Sequence, residues 1–293
     1  MTSTPMDGVF AVATTPYRED GTVDPDRLIS STSRVLDAGV NGVLVLGATG
    51  EALALETKEQ ETVVRTVVEV VDGRVPVVAG AMHYRPQAVT EQIDRVRAWG
   101  ASAAMVTPSF YGGLEADVAV RALAPVFAAS ELPLMLYNNP HSVGTDLLPH
   151  DLLPLQEHES FWSVKETSGA ATRVRDLRNT LGETQQIFVG ADGLALEGFT
   201  QGASGWVAAS AWLLPQQCVA LWRAADRGDW ATAVELWSGL SGPLSAIEDN
   251  PAFISLIKQT LGRLGWEQGP VRPPLGTAAM EEVDALLAAI SGI

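Results

Sequence analysis

The sequence predicts an α/β fold, a closed (β/α)8 barrel of the TIM type followed by a C-terminal helical extension. Three observations predict it. Eight short, β-rich apolar runs alternate with longer segments of helical period. The short runs do not alternate apolar with polar, which marks strands buried on both faces in a parallel sheet covered by helices. The eight units fit into roughly 210 residues, a span that suits one closed barrel. An open doubly wound sheet is the alternative, but no G-x-G-x-x-G follows the first run, which disfavours its dinucleotide-binding form.

In chain order, the apolar run Val9–Thr14 is the first strand and Pro25–Ala38 has the first helical period. Strand Val43–Leu46 precedes helix Lys58–Val71, strand Val75–Ala79 precedes helix Pro86–Trp99, and strand Ala103–Thr107 precedes helix Ala116–Ala129. Leu134–Tyr137 and Phe161–Lys165 are the fifth and sixth strands, with helix Thr172–Thr180 after the latter, and Ile187–Val189 and Gly205–Val207 complete the eight. Beyond Val207 the pattern changes to helices with no strand between them: Pro215–Arg227, Trp230–Leu240, Pro251–Leu264 and Ala278–Ala289. The expected division is therefore a barrel over residues 1–214 and a helical extension over 215–293, with Pro270–Pro274 as a connector. No internal repeat or low-complexity tract interrupts it.

Composition narrows the function. Nineteen basic residues against 35 acidic ones leave a net charge of −16, which argues against nucleic acid and anionic membranes as partners but not against a small anion, which feels local fields only. The single cysteine, Cys218, excludes an intrachain disulfide and any multi-cysteine metal site. Met1–Asp7 has neither a basic region nor an apolar core, and the most apolar stretch, Ala203–Trp222, is broken by Pro215, Gln216 and Gln217. A cytoplasmic protein is expected.

Barrel chemistry sits at the C-terminal ends of strands. The second strand ends in Gly47-Ala48-Thr49-Gly50-Glu51, the fourth in Thr107-Pro108-Ser109-Phe110-Tyr111, the fifth in Tyr137-Asn138-Asn139-Pro140, the sixth in Lys165-Glu166-Thr167 and the seventh in Gly190-Ala191-Asp192. Lys165 is the sharpest signal. Side chains alternate along a strand, so Lys165 shares a face with Ser163 while Val164 points the other way. If that face is inward, the amine sits in a partly desolvated mouth as a nucleophile towards carbonyls. A lysine that merely leaves the strand into solvent fits the position equally well. Tyr137 could relay protons beside such an amine, although alone it reads as a half-buried aromatic. The hydroxyl of Thr49 and its adjacent amides could hold a carboxylate or pass a proton to Tyr137. Other chemistries lack their spacings: His83, His141, His150 and His158 form no H-E-x-x-H, and neither a phosphate loop nor a nucleophile elbow occurs. His83, His141 and Asp192 read as loop or turn residues more than as pocket residues.

Taken together, these strand ends resemble the dihydrodipicolinate synthase/N-acetylneuraminate lyase family. Thr15-Pro16-Tyr17 before Asp20-Gly21, Gly47-Ala48-Thr49-Gly50-Glu51, Tyr137-Asn138-Asn139-Pro140, Val164-Lys165-Glu166-Thr167 and Gly202-Ala203-Ser204-Gly205 occur in the family's order over most of the chain. Val271-Arg272-Pro273-Pro274-Leu275 resembles its C-terminal segment. The resemblance implies class I aldolase chemistry on a 2-keto acid such as pyruvate and an aldehyde, without metal or organic cofactor, in a homotetramer built as a dimer of dimers. By the same resemblance Lys165 is the Schiff-base lysine, Tyr137 the proton relay, and Thr49 with the Ala48 amide the carboxylate cradle. Gly190 would line the substrate site, and Val207 matches a backbone position lining it. Tyr111 aligns, imperfectly, with a tyrosine that reaches into a neighbouring subunit's site.

Two departures bear on the substrate. Ala48 replaces the first threonine of the turn and removes its hydroxyl from the relay. Ser142 stands where the synthases carry an arginine for the carboxylate of aspartate semialdehyde, and serine supplies neither its charge nor its paired donors. The leading expectation is a pyruvate-type lyase or aldolase that makes or breaks a carbon–carbon bond with a different aldehyde. A 2-keto-3-deoxy sugar acid dehydratase, a dihydrodipicolinate synthase and a catalytically silent keto-acid-binding barrel stay open.

Overall fold

A computed structural model describes residues 6–293; the reading of Met1–Asp7 falls largely on residues outside that range. Eight parallel strands close in sequence order: β1 Gly8–Val12, β2 Gly42–Val45, β3 Val77–Ala81, β4 Ala103–Val106, β5 Leu134–Asn138, β6 Phe161–Glu166, β7 Gln186–Val189 and β8 Gly205–Ala208, with β8 paired back onto β1. Between them run α1 Pro25–Asp37, α2 Thr57–Val71, α3 Pro86–Ala98, α4 Ala116–Ala129, the four-residue α5 Pro140–Val143, α6 Arg173–Leu181, the six-residue α7 Ala195–Thr200 and α8 Ser210–Leu213. The chain then continues as α9 Pro215–Asp226, α10 Trp230–Glu248, α11 Phe253–Arg263 and α12 Met280–Ile290. A 3₁₀ run, Pro149–Glu157, completes the crossover from β5 to β6. Helix α9 packs on α7 and β1, so the helical ring closes just past residue 214. Among the described residues no helix is long and apolar enough to cross a membrane.

Most element bounds shift by one or two residues from those the sequence predicts, and two of the differences have a clear physical cause. Strand β3 starts at Val77 instead of Val75 and continues through Gly80 and Ala81, because these two weak strand formers pair with Met105 and Val106 of β4. Helix α10 continues to Glu248 instead of stopping at Leu240. Pro243 removes one internal hydrogen bond. The helix survives because Leu240, Pro243, Leu244 and Ile247, at i, i+3, i+4 and i+7, form a buried stripe that holds it in place.

The barrel interior is packed. Phe10, Leu44, Val78, Met105, Met135, Phe188 and Val207 fill it, while alternate residues such as Val164 and Val43 join the outer core beneath the helices. Phe188 meets Phe10 and Trp162 edge-on at 5.4 and 5.6 Å between ring centroids. An extra residue in β6 opposite Leu134/Met135 lets Trp162 enter this interior while Phe161 packs outward on Phe127.

The C-terminal helices are tied to the barrel by a buried ion pair. Lys258 on α11 reaches Glu51 at 2.9 Å, and the two side chains are 1% and 0% exposed. The ammonium donates to Thr15 O and Pro270 O as well, so all three of its protons are used, and it lies over the Tyr17 ring. Glu51 Oε2 accepts the Arg272 N–H, and the Arg272 guanidinium stacks on Tyr17 and grips Glu59 with both terminal nitrogens. Burial pulls the Lys258 pKa down and the Glu51 carboxylate holds it up. Removing one member of such a pair strands a charge in the core. Lys258→Met should therefore lower the unfolding free energy by about 3–5 kcal/mol, and adding Glu51→Gln should restore part of that loss. Denaturant titration measures both, and a loss below about 1 kcal/mol in the single variant would contradict the assignment.

Candidate active site

A cavity of about 590 Å³ opens at the C-terminal ends of the strands. Its floor is Lys165. The pairing of β5 with β6 sets Tyr137 beside Lys165 and Asn138 beside Glu166. With a two-residue period, Tyr137 and Lys165 then face inward together and Asn138 and Glu166 face outward together. Lys165 is 7% exposed, and its Nζ lies 4.2 Å from the centroid of the Tyr137 ring. Among the described residues this ammonium makes no ion pair or hydrogen bond, so it remains available to a ligand. That arrangement removes the alternative of a lysine leaving the strand for solvent.

The outward residues lock the register. Asn138 Nδ2 donates to Glu166 Oε2 at 3.0 Å and to Asp146 Oδ1 at 2.9 Å, while its Oδ1 accepts from Leu147 N. Arg173 closes the network with a two-pronged contact to Asp146, both distances 2.8 Å. Its hydrogen bonds hold the Asp146 carboxyl below the usual carboxylate range. A one-residue slip of β6 would turn Lys165 into the helical layer. The sequence reading passed over this brace, although its signal was present as the polar residue following Tyr137 and Lys165 in each strand.

The Gly47–Glu51 turn forms the facing wall. Its internal hydrogen bonds use the N–H groups of Gly50, Glu51 and Ala52. Those of Ala48 and Thr49 donate to nothing among the described residues, and both residues line the cavity. Two adjacent free amides make an anion-binding concavity. The turn is held under strain: Leu46 (φ 55°) and Glu51 (φ 55°) adopt left-handed backbone, a conformation that costs about 1–2 kcal/mol per non-glycine residue. Gly80 makes room for Leu46, whose carbonyl oxygen would lie 1.9 Å from a Cβ there. Thr15 Oγ1 grips Gly50 O at 2.7 Å, and the buried Glu51 pair anchors the end of the turn.

The remaining predicted residues are distributed unevenly. Gly190 and Ser142 line the cavity. Ser142 Oγ and the Tyr137 hydroxyl both accept from Asn139 Nδ2, at 3.0 and 2.8 Å. The Tyr137 hydroxyl is thus held by Asn139, while Thr49 shares the cavity without a hydrogen bond to it. Val207 is fully buried in the interior layer, and Ala209, two residues further along the same face, lines the cavity in its place. Tyr111 lies outside the cavity, 80% exposed and edge-on to Tyr84. His141 lines the mouth, with its Nε2 3.1 Å from Ser168 O, whereas His83 does not.

Three groups belong to the cavity that the sequence did not single out, or set down as turn residues. Asp192 is a pocket residue: it accepts from Trp206 Nε1 at 2.9 Å and Ser210 N at 2.7 Å, and burial raises its carboxyl. The Thr167 hydroxyl is buried at the wall with no hydrogen-bond partner. The end of α10 brings Ser245, Ile247, Glu248 and Asp249 across the opening, with Phe253 of α11 beside them. No motif announces this last group, because only the packing of the extension against the β7 end carries it there.

The comparisons with known proteins bear on this site. A family model described as the dihydrodipicolinate synthetase family matches residues 5–293. A 4-hydroxy-tetrahydrodipicolinate synthase of Phenylobacterium zucineum is 30% identical over 282 residues, which cover 96% of each chain. An uncharacterized DapA-like lyase of Halobacterium salinarum is 30% identical over 270 residues, 92% of this chain and 88% of that one. Among solved structures, the chloride-inhibited dihydrodipicolinate synthase of Acinetobacter baumannii, complexed with pyruvate, superposes with a TM-score of 0.91 at 25% identity over 97% of both chains.

Gly190 gives the site a sharp steric test. A Cβ at this position would stand 2.0 Å from Thr167 Oγ1 and 2.8 Å from Lys165 Cε. Gly190→Ala should displace the lysine stem and destabilise the fold by about 1–3 kcal/mol, the scale of an overpacked core. Thermal unfolding measures it, and an unshifted melting temperature would show that the lysine has slack.

Proposed function

The chain belongs to the dihydrodipicolinate synthetase family, and we propose that it is a lyase of the class I aldolase type in which Lys165 condenses with the keto carbon of pyruvate. The observation that carries this reading is the unpaired Lys165 amine at the base of the cavity, over the Tyr137 ring and across from the free amides of Ala48 and Thr49. In this reading the two amides and the Thr49 hydroxyl take the keto-acid carboxylate. The lysine nitrogen then adds to the keto carbon. The carbinolamine oxygen leaves as water after receiving a proton by way of Tyr137, whose hydroxyl Asn139 holds in place. The resulting iminium draws electrons from the adjacent carbon, which loses a proton to give an enamine. The enamine carbon attacks the aldehyde carbon, the new alkoxide takes up a proton, and water hydrolyses the iminium to free Lys165. The same steps in reverse cleave the bond.

The identity of the aldehyde is part of the proposal. Some relatives bear the synthase name, which supports aspartate semialdehyde. Two features weigh against it. Ala48 offers no hydroxyl to the relay, and Ser142 is a neutral residue held by Asn139. No arginine lines the cavity among the described residues. A dehydratase would use the same iminium, and loss of water without release of pyruvate would identify it. The family reading also carries a cytoplasmic homotetramer in which the exposed Tyr111 and Tyr84 meet a neighbouring subunit. Within the chain, residues 1–214 supply the reacting groups and residues 215–293 roof the cavity.

Borohydride added with pyruvate should leave a reduced adduct that mass spectrometry maps to Lys165, and Lys165→Ala should abolish both adduct and turnover. An adduct on another lysine would overturn the assignment. Tyr137→Phe keeps the ring under the amine and removes only the hydroxyl. Its kcat should fall about 100-fold or more, the scale of a positioned acid–base group. A fall below about threefold would return Tyr137 to a packing role.

A further inference from the structure

The extension does more than cover the barrel. Helix α10 ends in Glu248, whose Oε2 accepts the Gly193 N–H at 2.7 Å, one residue past the Gly190-Ala191-Asp192 segment that follows β7. A Cβ on residue 193 would stand 3.2 Å from that oxygen and 3.3 Å from Ser245 Oγ, so glycine permits this close approach. One carboxylate oxygen is thereby fixed on the backbone, leaving Oε1 with no hydrogen-bond partner among the described residues in a side chain that lines the cavity. Asp192 and Asp249 line the same cavity, and Lys165 is its one lysine or arginine among the described residues. Desolvation raises the Glu248 carboxyl to about 7, Asp192 and Asp249 add to the rise, and the Gly193 N–H and the Lys165 charge oppose it.

We propose that Glu248 is a specificity-determining residue for the second substrate: it accepts a hydrogen bond from a hydroxyl of the incoming aldehyde and repels aldehydes that carry a carboxylate. The iminium charge on Lys165 is balanced by the keto acid's own carboxylate and disappears when the enamine forms. A second carboxylate then meets acidic groups with no compensating cation, whereas a neutral hydroxyaldehyde finds a fixed acceptor. Like charges brought together select against a partner as effectively as good contacts select for one. This assignment rests on the pyruvate reading above, and the test separates the two.

The experiment compares, at about pH 8.5 where the Glu248 carboxyl is ionised, kcat/KM for pyruvate with D-glyceraldehyde and with aspartate semialdehyde in the unmodified protein, Glu248→Gln and Glu248→Ala. Borohydride trapping of pyruvate is measured in parallel. Glutamine keeps the length and, through its one carbonyl oxygen, the Gly193 contact, but presents a neutral N–H donor to the cavity in place of the charged acceptor. It should raise kcat/KM for aspartate semialdehyde at least about tenfold and should not raise that for D-glyceraldehyde, the tenfold step corresponding to about 1.4 kcal/mol. Alanine should lower kcat/KM for D-glyceraldehyde about tenfold, the loss of one hydrogen bond to a charged group. Trapping should be equal in all three proteins. If trapping is intact and the ratio of the two aldehydes does not move in Glu248→Gln, or if neither aldehyde turns over, the specificity role is wrong and the pyruvate reading stands. If the unmodified protein traps no pyruvate, both fall.

Discussion

The site depends on one buried pair of charges. Glu51 ends the turn that carries Ala48 and Thr49, and its carboxylate is fully enclosed. Taking both ions out of water costs several kcal/mol each, which only good geometry offsets. Here Lys258 meets three oxygens and the Tyr17 ring, and Glu51 also accepts a backbone N–H from Arg272. The partners come from residues 15, 17, 258, 270 and 272, so the pair joins the start of the barrel, the second strand end and the extension at one point. It also holds Glu51 in left-handed backbone. The strained turn keeps two amides pointed at the cavity because its far end cannot relax.

A second constraint acts on the opposite wall. Tyr137 and Lys165 face each other only in one register of β5 against β6. Asn138, Glu166, Asp146 and Arg173 form a hydrogen-bonded network outside the barrel that this register alone satisfies. Polar groups spent outside the barrel thus define the position of an amine inside it. Gly190 completes the seat, since any larger residue would press on the lysine stem and on Thr167. Precision at the amine comes from neighbours that do not touch a ligand.

The cavity draws its groups from two parts of the fold. The amine, the phenol and the turn amides are borne by barrel strands and their immediate ends, as expected for a barrel enzyme. The groups that would meet the second substrate come instead from α10 and the β7 loop, which are joined by the contact between Glu248 and Gly193. The acidic roof and the neutral Ser142 line the same cavity.

The sequence by itself determined the eight strands, their order, the helical extension, the lysine and tyrosine at neighbouring strand ends and the glycine turn. All are local: a buried strand needs a continuous apolar run, and a strand end needs a turn. It erred where a local rule met a nonlocal force. Pro243 signals the end of a helix, yet the buried stripe from Leu240 to Ile247 carries α10 on to Glu248. Asp192 reads as a turn residue, yet Trp206 and Ser210 draw it into the pocket. The Val207 side chain packs in the interior layer and Ala209 lines the wall, because depth in a barrel is set by the register of β8 between β7 and β1. Which residues meet across the mouth was decided only by tertiary packing, because residues 193 and 248 are brought together by the docking of α10 on the β7 end, and no periodicity within either segment encodes that contact.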